Sequence, residues 1–253
     1  MGEQAFHTAL LGLWIVLALL VFGRSFKSPA PYGRYTAESG GWSIATKWGW
    51  VLMESPTIVV VGLLFLIGPY NDTPPAYGLL AMWMAHYVQR TILYPFLRRD
   101  LDRRMPVAIV VSGFAFNILN GYLNGRYVFS LSGGYPEKWL IDPRFVVGAI
   151  VFATGYSINR HADQVLHRLR RNGKTAYGIP VGGLYRWVSC PNYLGEIVEW
   201  FGWAIASWSL AGLAFAIWTA ANLAPRAWFH HQWYNRQFAD YPSHRKALLP
   251  MLW

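Results

Sequence analysis

The chain predicts an all-α fold: an integral membrane bundle of seven transmembrane helices, with the N-terminus outside and the C-terminus cytoplasmic. Three observations predict it. Of the 253 residues, 54% are hydrophobic, 17% aromatic and only 13% charged, a balance unlike that of soluble globular domains. The apolar residues gather in seven windows, at 7–23, 49–70, 77–97, 106–130, 144–160, 193–209 and 210–234, most of them long enough to cross ~30 Å of hydrocarbon as a helix. Most of the 22 basic residues fall in alternate connections, the pattern that the cytoplasmic preference of Lys and Arg imposes.

Each window carries its own signature. The first, Leu10 to Phe22 at its centre, is as apolar as a secretory signal, yet it opens on Glu3 rather than on basic residues and no small-x-small cleavage site follows; a retained helix is expected. The second runs through Val, Leu, Ile and Phe but holds Glu54 just before Ser55-Pro56. The third places Trp83, Tyr87, Arg90 and Tyr94 at spacings that stack on one helical face, and the fourth does the same with Asn117, Asn120 and Asn124. From the fifth window into the loop beyond it, Asn159, Asp163 and Arg170 share a face. In the sixth, Pro191 suits a first helical turn and Asn192, Glu196 and Glu199 form a stripe; in the last, Arg226, His230 and Tyr234 do. Between these two windows Ser207-Trp208-Ser209 is either a tight turn or a kink. Without repeats or low-complexity linkers, 1–253 reads as a single domain.

The charge pattern orients the bundle. Arg24, Lys27, Arg34 and Lys47 follow the first window, Arg98, Arg99, Arg103 and Arg104 the third, and Arg160, Arg168, Arg170, Arg171, Lys174 and Arg186 the fifth, while the tail holds Arg236, Arg245 and Lys246. The intervening connections hold only Lys138 and Arg144. The net charge of +10 is thus mainly topological, so no nucleic-acid partner is expected; membrane lipid is. The lone Cys190 excludes an internal disulfide, and without CxxC or HExxH spacing no metal site is expected. GGLYRW and NGYLNG lack the GxGxxG pattern and its strand-turn-helix setting, so no Rossmann domain is predicted.

Ionisable side chains inside spans are costly and mark either buried pairs or a ligand site. Five polar stripes on apolar helices fit a polar cavity open toward the basic face. Glu54 is either a feature of the Pro56 kink or the partner of a donor such as Tyr87, in which a carboxyl hydrogen-bonded to a phenol would aim the phenol proton at a substrate carbonyl. Glu199 extends that polar network or pairs with a basic residue such as Arg226.

The stretches LMESPT, HYVQRTILYPFL, INRHAD, AYGIPVGGLYRWVSCPNYLGEIVEWFGWAIASWSL, RAWFHHQWY and DYPSHRKALLPMLW resemble, in this order, the steroid 5α-reductases (3-oxo-5α-steroid 4-dehydrogenases). The resemblance implies a seven-helix, multi-pass enzyme that uses NADPH to reduce the carbon 4–carbon 5 double bond of a 3-oxo-Δ4-steroid such as testosterone or progesterone. The membrane would be a bacterial inner membrane or that of the endoplasmic reticulum, depending on the source. It also implies roles by position. Glu54 and Tyr87 look like the catalytic couple on the 3-oxo group, and Trp50 like a wall of the steroid pocket. Asn192, Glu196, His230 and Tyr234 look like nicotinamide contacts; Arg90, Arg98, Arg103, Phe116, Asn159, Asp163, Arg170 and Tyr177 look like the remaining cofactor contacts. Met53, Arg98, Ser112 and Gly178 depart from the residues common in vertebrate members. PNYxGE-type ends also occur in isoprenylcysteine carboxyl methyltransferases, the rival enzyme class, which have no use for the pair Glu54 and Tyr87; a sterol-binding protein without activity is the non-enzymatic alternative, and the retention of Tyr87, Glu54, Asn192 and Glu196 argues against it.

Overall fold

A computed structural model of the chain describes residues 2–28, 41–97, 104–171 and 178–253, with the side chains of Arg170 and Arg171 outside that set. Each apolar window coincides with a helical stretch: α1 (Glu3–Ser25), α2 (Thr46–Ile67), α3 (Pro74–Val88) continued by a π-turn (Gln89–Leu93) into α4 (Tyr94–Leu97), α5 (Val107–Arg126) ending in a second π-turn (Tyr127–Leu131), α6 (Pro143–Arg171), α7 (Pro191–Ser207) and α8 (Leu210–Gln237). Three stretches, Glu3–Ser25, Thr46–Ile67 and Val107–Leu131, are long and apolar enough to cross a membrane by themselves. Their outer faces carry exposed Leu13, Leu20, Leu63, Leu66 and Val111, side chains suited to hydrocarbon rather than water.

Among the described residues one strand pair interrupts the helices. Strands β1 (Ser43–Ala45) and β2 (Arg104–Pro106) pair antiparallel, Ile44 opposite Met105, and tie the starts of α2 and α5 together. Arg104 fastens the ribbon, donating through Nε to Ser43 Oγ at 2.7 Å and through Nη2 to the Ser43 carbonyl. Three-residue strands leave almost no alternation to read, which is why the sequence did not announce them.

Local chemistry sets the helix ends and bends. Thr73 caps α3 by accepting from the Ala76 N–H at 3.3 Å, with proline in the first turn where no N–H is needed. Pro56 lies inside α2 and cannot donate to the Leu52 carbonyl four residues earlier; the Ser55 hydroxyl donates there instead, at 3.3 Å. The step between α7 and α8 is a tight turn: Trp208 takes the left-handed conformation (φ 44°, ψ 47°), and Ser209 caps α8 by accepting from the Gly212 N–H at 2.9 Å. Pro191 opens α7, as its missing N–H favours.

Packing is closest between α6 and α7. A Cβ added at Gly148 or Gly155 on α6 would run into the backbone of Ala206 or Glu199, and one at Gly195 or Gly202 on α7 into that of Asn159 or Phe152. Four glycines thus let the two backbones touch, the small-residue device of membrane helix pairs. At the centre Trp83, Trp200, Trp203, Tyr87 and Phe215 form one buried aromatic cluster. α1 closes the side of the bundle against α8, with Trp14 and Trp218 rings 4.7 Å apart and the Trp218 indole donating to the Trp14 carbonyl at 2.8 Å. The segment after α8 folds back beside the start of α7 through the Val188–Lys246 bridge.

Candidate active site

The polar stripes turn inward and meet. On α2, Glu54 is held from α5: Asn117 Nδ2 donates to the Met53 carbonyl at 2.7 Å and to Glu54 Oε2 at 3.2 Å. On α3, Tyr87 is buried in a box of Trp83, His86 and Trp200, with ring centroids 5.1, 4.9 and 5.6 Å away. Asn120, one turn beyond Asn117 on α5, is a polar neighbour of its hydroxyl. Among the described residues the hydrogen bond to the Glu54 carboxyl comes from Asn117.

One turn along, the π-turn presents Arg90. Its guanidinium lies over the rings of Trp50 and Tyr94, 4.8 and 4.7 Å from their centroids, and reaches Asp163 Oδ2 at 3.6 Å and Glu196 Oε2 at 3.8 Å. These distances are those of a loose ion triad rather than of tight hydrogen bonds. A π-turn widens the helix locally and is common at functional sites. Asn159 on α6 completes the group by donating to the Asn192 carbonyl at 2.9 Å and to Glu196 Oε2 at 3.4 Å. On α8, His230 Nε2 hydrogen-bonds the Tyr193 hydroxyl at 3.1 Å, and Tyr234 stacks on Tyr241 with centroids 5.2 Å apart.

The structure thus assembles Trp50, Arg90, Asp163, Asn159, Asn192 and Glu196 into one network beside Glu54 and Tyr87. His230 and Tyr234 stand on the α8 side, where His230 bonds the α7 residue Tyr193. Phe116 packs instead among Trp14, Trp218 and Phe215, centroids 5.1, 5.3 and 6.4 Å away, toward the α1 and α8 side. Arg98, Arg103 and Tyr177 lie outside the described residues, as does the Arg170 side chain. Among the described residues no group of three His, Cys, Asp or Glu side chains is arranged to hold a metal ion.

Glu199 does find a basic partner, and it is His86: Nδ1 and Oε1 are 2.7 Å apart, with the side chains 5% and 0% exposed. Arg226 is not that partner; the signal for His86 is that it is an ionisable residue inside an apolar window, next to Tyr87. Also missed was Trp203, whose indole donates to Asn124 Oδ1 at 2.9 Å. Nothing in a single sequence marks a tryptophan as the partner of one particular asparagine.

Comparison with known proteins places this architecture. Residues 103–253 match the family described as 3-oxo-5-alpha-steroid 4-dehydrogenase. The chain is 41% identical to steroid 5-alpha-reductase DET2 of Gossypium hirsutum, over 99% of this chain and 98% of that protein. It is 38% identical to 3-oxo-5-alpha-steroid 4-dehydrogenase 1 of Homo sapiens over 99% and 97% of the two chains, and 42% identical to the Bos taurus protein of that name over 88% of each.

Proposed function

The chain belongs to the 3-oxo-5-alpha-steroid 4-dehydrogenase family of oxidoreductases, and on that premise we propose that it reduces the carbon 4–carbon 5 double bond of a 3-oxo-Δ4-steroid with NADPH as the reductant. The observation that carries the reading is the setting of Tyr87: a buried phenol boxed by Trp83, His86 and Trp200, flanked by Glu54, and adjoining the Arg90, Asp163, Glu196 and Asn159 network.

The residues divide the work. Tyr87 donates its hydroxyl proton in a hydrogen bond to the 3-oxo oxygen, drawing electron density from the conjugated alkene so that carbon 5 becomes electrophilic. In a site lined by aromatic rings this bond is worth far more than in water. Trp50 lines the steroid path. Glu54, anchored by Asn117, would act as the neutral carboxylic acid, donating a second hydrogen bond to the oxygen as negative charge gathers there when carbon 5 is reduced. Carbon 4 takes a proton from solvent, which restores the ketone.

The network fits the cofactor in donor and acceptor character: a nicotinamide carboxamide needs both, and Asn192 and Glu196, one turn apart on α7, with Asn159 facing them from α6, present both. Asn192, Glu196, His230 and Tyr234 would hold the nicotinamide end, and Arg90, Phe116, Asn159 and Asp163 the remainder. Arg98, Arg103, Arg170 and Tyr177 would complete the hold, with Arg103 on phosphate. When bound, NADPH supplies the hydride that reduces carbon 5. We place all seven helical stretches across the membrane with the N-terminus outside and the C-terminus cytoplasmic, on the strength of the alternating basic connections.

The test is to incubate the detergent-solubilised protein with progesterone or testosterone and NADPH and to analyse the steroid by mass spectrometry. A gain of two hydrogens is expected. Unchanged steroid, with methyl transfer from S-adenosylmethionine to an isoprenylcysteine in a parallel reaction, would replace this reading by the methyltransferase one. Tyr87→Phe should lose about 10²–10³-fold in turnover, the usual effect of removing one such donor, while retaining NADPH binding.

A further inference from the structure

Trp203, Asn124, Asn120 and Tyr87 form a line through the bundle whose hydrogen-bond polarity can be read from one end. The indole N–H of Trp203 can only donate, and it donates to Asn124 Oδ1 at 2.9 Å. That fixes which end of the Asn124 amide is oxygen. Its Nδ2 therefore faces the other way, where it donates to Asn120 Oδ1 and to the Asn120 carbonyl, both at 3.1 Å. With Oδ1 so engaged, Asn120 turns its own Nδ2 away from Asn124. That N–H2 group is fully buried and has no aligned hydrogen-bond partner among the described residues. The Tyr87 hydroxyl is the polar group beside it. A donor left unsatisfied in a bundle interior is costly, so its retention asks for a use.

We propose that Asn120 is a positioning residue for the reduction, donating from Nδ2 to the Tyr87 phenolic oxygen so that the Tyr87 proton can point only at the 3-oxo oxygen of the substrate. Trp203 and Asn124 are the relay that holds the amide in that sense. A phenol whose oxygen accepts from an amide N–H2 cannot give its proton back to that nitrogen, which only donates, and accepting one hydrogen bond makes it a stronger donor in the next. No covalent bond changes at Asn120. The inference rests on the reading of Tyr87 as the donor to the 3-oxo group.

The test uses the full-length protein in detergent with progesterone and NADPH. Asn120→Asp keeps the size of the side chain but replaces the donor by an acceptor that takes the phenol proton for itself. A loss of about 10²-fold in kcat is expected, with KM for the steroid and Kd for NADPH held within about threefold, since only the polarised state is affected. Trp203→Phe frees the relay to flip and should lose about tenfold; added to Asn120→Asp it should cost nothing more, because the three side chains act as one unit. Asn120→Ser, which keeps a donor, should retain more turnover than Asn120→Asp and serves as the variant of record if Asn120→Asp does not fold. Wild-type kcat in Asn120→Asp, a loss matched by weaker NADPH binding, multiplicative losses in the double variant, or Asn120→Ser no better than Asn120→Ala would each overturn the proposal. Tyr87→Phe separates the two layers: wild-type turnover there removes the reading of Tyr87 itself. Loss of turnover there, with Asn120→Asp unaffected, removes only the relay.

Discussion

Gly155→Ala is the sharpest test of how the site is held together. The added Cβ would meet the backbone N and Cα of Glu199 and the carbonyl of Gly195, all closer than van der Waals contact, and backbone atoms of a facing helix cannot rotate aside. Helix propensity alone favours the change by about 1 kcal/mol. Against it, overpacking of this kind costs about 1–3 kcal/mol. Separating α6 from α7 also strains the Asn159 bonds to the Asn192 carbonyl and Glu196, one turn away, worth about 1 kcal/mol each. The net expectation is a destabilisation of about 2–4 kcal/mol, which for a chain of this size lowers the melting temperature by roughly 5–15 °C. The assay is thermal unfolding in detergent with NADPH affinity measured alongside, since Asn159 and Glu196 move with the seam. Gly12→Ala on α1, where the new Cβ meets nothing within 4 Å, is the control and should melt at or slightly above wild type. A Gly155→Ala protein that melts with the control refutes the argument from close backbone contact.

Three other outcomes follow from the geometry. Arg90→Lys removes the planar group that lies over Trp50 and Tyr94 while spanning Asp163 and Glu196. A point charge cannot do both, so NADPH affinity measured by fluorescence titration should fall by about 10–100-fold. His86→Leu leaves the Glu199 carboxylate buried without its base and should cost about 3–5 kcal/mol in chemical denaturation, most of it recovered by adding Glu199→Met. Outside the spans, the Arg144 side chain and N–H hold the Asp142 carboxyl down to about 2 from 3.8. A depressed carboxylate contributes stability above its unfolded value and loses it as pH falls toward about 2, so its carbon-13 titration midpoint should lie near 2 and return toward the ordinary carboxylate range in Arg144→Gln.

Much of this was legible one residue at a time. A hydrophobic window of this length satisfies its backbone only as a helix once water is excluded, so the positions of α1, α2 and α5 follow from composition alone. Pro191 and Thr73 mark helix starts by chemistry that acts within one turn. The stripes Asn117, Asn120, Asn124 and Asn159, Asp163 were visible because helical spacing puts them on one face whatever packs there. The β1–β2 ribbon was not visible, since three residues carry no usable period. Nor was the π-turn at Gln89–Leu93, because the Trp83, Tyr87, Arg90, Tyr94 stripe looks the same in either helix type.

What the sequence determined by itself is which residues are polar inside apolar helices, and therefore that the bundle has a polar interior. What only the tertiary structure decided is who faces whom: Glu199 with His86, Glu54 with Asn117, Arg90 between Asp163 and Glu196, and Tyr87 among Trp83, His86 and Trp200. The physical reason is that a stripe fixes a side chain's azimuth on its own helix, whereas a partner depends on the rotation and depth of a second helix. Here that placement is set by four glycines between α6 and α7 and by the packing of α5 on α2, contacts between residues far apart in the chain that no local pattern encodes.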